Sequence, residues 1–222
     1  MKLSVLFFLL LNLSQVSAQK DSLQIGEKYL EDQLYFNISY NLFYKQPQEV
    51  KASGFSYGIS LGYIRDIPLA KSGKIALGIG IGYGYNSFLS GLRILETNSG
   101  FSFEASSLVN NKIIFNNIEF PVQFRLRSSE ANKYSFWRLY TGFKFSYNIS
   151  AKLDYFNTND ELLKGNIDVF NNFQTGLNFS AGYASFNFYL YYGLTPVYKK
   201  AKVNLQSINI KTLKLGLSFY LL

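Results

Sequence analysis

From Leu34 to its C-terminal end the chain alternates, stretch after stretch, between a large apolar residue and a small or polar one. A period of two sends successive side chains to opposite faces of a strand, so every such stretch has two unlike faces. The first run sets Leu34, Phe36, Ile38, Tyr40 and Leu42 against Tyr35, Asn37, Ser39 and Asn41. In the second, Phe55, Tyr57, Ile59, Leu61 and Tyr63 oppose Ser56, Gly58, Ser60 and Gly62. The third lies in KIALGIGIGYGYNSF (residues 74–88), where Ile75, Leu77, Ile79, Ile81, Tyr83 and Tyr85 oppose Ala76, Gly78, Gly80, Gly82 and Gly84. Five more runs follow, at 118–126, 137–147, 173–183, 186–192 and 213–221.

About eight runs of this kind match the strands of a transmembrane barrel, each of which needs roughly 9 to 11 residues to cross a bilayer at a tilt. A soluble sandwich uses shorter strands, usually about 5 to 6 residues. Connector lengths point the same way, because outer-membrane barrels have short turns on the periplasmic side and longer loops outside. Connectors around 66–73, 128–135 and 184–185 are short, and those around 45–53, 88–111, 150–171 and 196–207 are long or polar. An even strand number leaves both termini at the short-turn, periplasmic end. Tyr40, Tyr44, Tyr63, Tyr83, Tyr85, Trp137, Tyr147, Tyr183 and Tyr192 fall near strand ends, where interfacial aromatic girdles belong. The expected fold is therefore all-β: a single antiparallel transmembrane β-barrel of about eight strands over residues 32–222.

The N-terminus, MKLSVLFFLLLNLSQVSAQ, combines Lys2, an apolar run and small residues Val16 and Ala18. It reads as a signal peptide over residues 1–18, cleaved after Ala18, with residues 19–31 as a short periplasmic lead-in. The expected location is the outer membrane. Composition agrees with strands: 18 Tyr and 21 Phe against one Met and one Trp make the apolar mass rings and branched side chains. A net charge of +8 on an exported chain suits either ordinary solubility or attraction to anionic lipid or polysaccharide, and argues against nucleic acid.

Cysteine and histidine are both absent, which removes thiolate catalysis, Cys/His zinc sites and an imidazole base. The glycine series is not a nucleotide loop, since Tyr83 and Tyr85 stand where GxGxxG requires glycine and no GK[ST] follows. No catalytic, cofactor or metal site is expected. The glycines instead form the small wall of a lumen (Gly58, Gly62, Gly78, Gly80, Gly82, Gly84) that leaves room for large side chains opposite. The polar candidates for the lumen are Glu119, Gln123, Arg125, Arg138, Tyr140, Lys144, Tyr189, Tyr191 and Lys214. Glu119 is expected opposite Lys144, with Arg125 and Arg138 crowded together near the periplasmic mouth.

The segments NIEFPVQFRLR (117–127), FWRLYTGFKFSY (136–147), YYGLTPVYK (191–199) and the KTLKLGLSFYL ending, with the glycine strand, resemble the small outer-membrane β-barrel proteins of Bacteroidetes, the porin-family or PorT-like group. That resemblance implies an eight-stranded outer-membrane barrel, and one branch of the group is associated with type IX secretion and gliding. Three roles stand open at this point: a structural or accessory envelope barrel with outward loops and a partner in a larger assembly, a narrow porin-like channel, and a PorT-like secretion component.

Overall fold

A computed structural model describes residues 32–47, 50, 54–70, 72–97, 100–105, 110–128, 137–156, 165–166, 168–199, 202–203 and 206–221. The signal peptide expected at 1–18 and the lead-in at 19–31 lie outside the described residues, as does all of the 128–135 turn except Ser128. The strands are β1 (Gln33–Tyr44), β2 (Tyr57–Pro68), β3 (Ile75–Ser90), β4 (Leu92–Thr97), β5 (Gly100–Ala105), β6 (Asn110–Arg127) and β7 (Trp137–Phe156). They continue as β8 (Gly165–Asn166), β9 (Phe173–Tyr183), β10 (Phe186–Gly193), β11 (Lys202–Val203), β12 (Gln206–Ser207) and β13 (Lys211–Leu221).

Eight of these strands close on themselves. Each of β1, β2, β3, β6, β7, β9, β10 and β13 pairs antiparallel with the next, and β13 returns to β1 with Leu34 against Leu221. The eight alternating runs of the sequence supply one strand each. Closure leaves no sheet edge among these strands in the membrane, where an unpaired backbone N–H or C=O costs several kcal/mol.

The barrel is apolar outside and polar within. Outward residues such as Leu61 (57% exposed), Trp137 (67%) and Phe188 (72%) meet lipid, whereas the alternate positions Asn37, Ser60, Gln123 and Asn178 are buried. On β7 the apolar outer face runs from Trp137 to Tyr147. At about 3.4 Å per residue and a tilt near 40°, that run rises roughly 25 Å, the height of a barrel's lipid band. Aromatic contacts mark both levels. Trp137 packs edge-on to Tyr183 at 5.6 Å near the short turns, and Tyr40, Phe55, Tyr57 and Tyr85 form a ring ladder at the other end. β10, at eight residues, is shorter than the expected crossing length.

The short-turn end is tight. Ala184 takes φ 53° in the two-residue turn that pairs Tyr183 with Phe186. The opposite end differs from the sequence expectation. The connectors expected around 88–111 and 150–171 are partly strand, because β3, β6 and β7 run on for 16, 18 and 20 residues. A β-bulge sets Asn116 against Ser150 but Asn117 against Asn148, leaving Ile149 as the extra residue of β7. Below it Lys144 and Ser146 face inward; above it Ala151 and Leu153 do. That upper inner wall is apolar, and it packs with the β4–β5 hairpin and the bridged pair Phe170 and Tyr198 into a buried cap. Within it Phe43 stacks on Phe88 at 4.4 Å, and Phe115 meets Phe170 edge-on at 5.1 Å.

Candidate functional site in the barrel lumen

The lumen is built in layers by the inward phase of the eight barrel strands. At the periplasmic layer, Asp66 of β2 receives Arg125 Nη1 on one carboxylate oxygen and Arg127 Nη1 on the other, the latter at 2.5 Å. Arg125 also donates from Nη2 to Gln33 Oε1 at 3.0 Å and from Nε to Gln123 Oε1 at 3.2 Å. Its guanidinium lies 4.5 Å over the Tyr140 ring, which is itself edge-on to Tyr220. Arg127 Nε donates to Gly73 O, and Arg138 Nη1 to Ala184 O, so these arginines also tie the turns to the lumen.

The middle layer is an ion pair inside a ring of phenols. Lys144 Nζ donates to Glu119 Oε2 at 2.7 Å and to the Tyr189 hydroxyl at 2.9 Å. The Tyr35 hydroxyl donates to Glu119 Oε2 at 3.5 Å, and Asn117 Nδ2 to Glu119 Oε1 at 3.3 Å. Alongside, Ser218 Oγ donates to Asn37 Oδ1 and Asn37 Nδ2 to Ser60 Oγ, stitching β13, β1 and β2 together. In the upper layer Asn86 Nδ2 donates to Asn117 Oδ1 at 2.9 Å, and Lys214 Nζ to Asn86 Oδ1 at 2.6 Å.

All nine polar candidates named from the sequence are buried inside the barrel, Lys214 the least so at 9% exposed. Two placements differ from expectation. Lys144 stands opposite Pro121, and Glu119 opposite Ser146, so their ion pair is diagonal across β6 and β7. The residue opposite Arg138 is Arg127, while Arg125 faces Tyr140. Asp66 and Arg127 were absent from the sequence expectation. Arg127 simply continues the inward phase of β6, and Asp66 that of β2, past the point where Asp66-Ile67-Pro68 reads as a turn.

The glycine wall is covered mainly from its flanks. A Cβ on Gly62 would lie 2.6 Å from Tyr35 Cε1, one on Gly78 2.7 Å from Arg125 Nε, and one on Gly84 2.7 Å from Glu119 Oε1. Tyr35 is on β1 and the other two on β6, the neighbours of the glycine strands, so the filling folds over from beside them as well as projecting from the far wall. Side chains leave little space: two lumen cavities measure about 30 Å³ and about 10 Å³.

The ion pair gives a direct expectation. Glu119→Lys and Lys144→Glu each leave like charges buried together, a loss of about 3–5 kcal/mol. The double exchange should recover up to about 3 kcal/mol as coupling in a double-mutant cycle on urea unfolding midpoints. Strictly additive losses would rule the pairing out.

Residues 15–199 match the model of a family described as outer membrane protein beta-barrel domain. The chain belongs to this family. Its outer-membrane location follows, and so does the orientation that puts the short turns in the periplasm and the cap outside. The family match ends before β13, and the structure supplies that closing strand against both β1 and β10. No curated protein and no solved structure matches the chain.

Proposed function

We propose that this family member is a non-enzymatic, non-conducting barrel with an accessory role in the envelope, anchoring an ordered extracellular cap in the outer membrane. The filled lumen carries this reading. Hydrogen bonds cross the lumen between strands three apart at three levels, Arg125 to Gln33, Tyr35 to Glu119 and Lys214 to Asn86, two cavities among them are about 30 and 10 Å³, and the upper mouth is closed by apolar side chains. An aqueous path would have to break the Asp66 and Glu119 ion pairs and solvate the cap core, each at a cost of several kcal/mol. The cap is the surface available to an extracellular partner or ligand.

Two other roles compatible with the fold are a narrow solute pore and a PorT-like part in type IX secretion. Refolded protein in a planar bilayer should show no steady conductance steps; persistent open channels would overturn the proposal in favour of a pore. A stoichiometric partner recovered with the barrel from native membranes would identify the assembly it serves.

A further inference from the structure

Lys214 is the unbalanced charge of the upper lumen. It sits on β13 between Asn41 of β1 and Tyr191 of β10, nine-tenths buried. Its Nζ donates to Asn86 Oδ1 and lies 5.0 Å from the Tyr191 ring centroid. Among the described residues it forms no ion pair, because the nearby carboxylate, Glu119, is bonded to Lys144 at 2.7 Å. These three side chains therefore bring one surplus positive charge into the lumen. A buried ammonium without a counter-charge is costly.

The larger lumen cavity, about 30 Å³, opens directly on Lys214. Ser146, Asn148, Gln174 and Thr212 line it, and Phe88 and Phe115 of the cap close it from above. Each neighbouring amide spends one of its two N–H donors on the wall: Asn86 Nδ2 donates to Asn117, Asn117 Nδ2 to Glu119, and Asn148 Nδ2 and Gln174 Nε2 both to Asn171 O. The donors that can turn toward the cavity are the remaining ammonium protons, the second N–H of each amide, and the hydroxyls of Ser146, Thr212 and Tyr191, which can donate as well as accept. A water needs roughly 10–15 Å³ measured in this way. The space thus fits one monatomic anion with at most a water beside it, and excludes phosphate or an organic carboxylate.

We propose that this cavity is an occluded site for a single halide ion, chloride in the cell, held by Lys214 and trapped as the cap folds over it. The ion supplies the counter-charge that Glu119 cannot. The inference rests on the closed lumen, and the two fail separately: conductance steps would refute closure, whereas the anion response tests the site itself.

The full chain would be refolded into detergent micelles in sodium chloride, sodium bromide or sodium gluconate at equal ionic strength. Urea unfolding would be followed by the gel mobility shift between folded and unfolded barrel. A halide at ten times its Kd should raise the folded-to-unfolded ratio about tenfold over gluconate, and Lys214→Met should abolish that difference. Equal stability in all three salts, or the same halide gain in Lys214→Met, would overturn the proposal. Crystals of the unaltered protein grown in bromide test it without relying on the variant. An anomalous peak within hydrogen-bonding distance of Lys214 Nζ is expected, and density for water alone would refute the site.

Discussion

Asp66→Asn should lower the stability of the folded barrel by about 3–5 kcal/mol, the cost of breaking a buried ion pair from one side. Asparagine keeps the shape of the side chain, so the effect isolates the charge. Asp66 gives both carboxylate oxygens to guanidinium groups, Arg125 on one and Arg127 on the other, and both ion pairs are fully screened from solvent at the side-chain level. Those arginines hold β2 to β6 around β3, and they reach Gln33 on β1 and the turn at Gly73. The loss would be read as a fall in the urea midpoint of the gel-shift transition. Asp32→Asn is the matching control, because Asp32 accepts from the Tyr63 hydroxyl and the Asp66 N–H at the partly exposed rim of the same layer. Its effect should be under about 1 kcal/mol. Equal effects at the two positions would show that the cluster is hydrated rather than buried.

Gly82→Phe should prevent the barrel from folding. Gly62 and Gly82 face each other across β2 and β3, and the Tyr35 ring lies on both. A Cβ at Gly82 would stand 2.7 Å from Leu61 O, with the Tyr35 hydroxyl closer still. There is no room for one carbon, let alone a ring, without evicting Tyr35 and its bond to Glu119. Gly82→Ala is the graded version, with an expected loss of about 1–3 kcal/mol from overpacking. Adding Tyr35→Phe removes the nearest clashing atom and should return part of that loss. Wild-type yield and midpoint for Gly82→Phe would mean that the glycine wall faces open space.

The membrane-embedded half of the molecule was legible because one rule governs it: apolar outward to lipid, small or polar inward, at a period of two. The barrel strands follow that rule with few exceptions, the inward Ile64 of β2 among them, and each of the eight was visible as a run. Beyond the bilayer the rule inverts. On the upper parts of β6 and β7, Ile113, Phe115 and Leu153 point inward to the cap while Lys112, Lys152 and Asp154 point outward to water. A reading tuned to lipid outside therefore ended the strands early and took the cap for polar connectors. The lumen was legible as a list of residues and less so as a set of partners. Pairing of β6 with β7 depends on the geometry of the turn between Ser128 and Trp137, and sequence does not state it. A shift of one two-residue step turned the expected Glu119–Lys144 opposition into a diagonal contact. Asp66 escaped notice for a different reason: its neighbours Ile67 and Pro68 look like a turn, whereas Pro68 is the last residue of β2.

Ile149 has a consequence out of proportion to one residue. It acts on β7 as a frameshift acts on a coding strand, exchanging the in and out positions for everything that follows. Without it, Lys152 and Asp154 would be driven into the cap core and Ala151 and Leu153 would be turned out to water. The insertion lets one unbroken strand serve two solvents with opposite demands, lipid below and water above. The extracellular cap can thus be a continuation of the barrel wall rather than a separate module tethered to it, and any force on the cap is borne directly by the hydrogen-bonded sheet in the membrane.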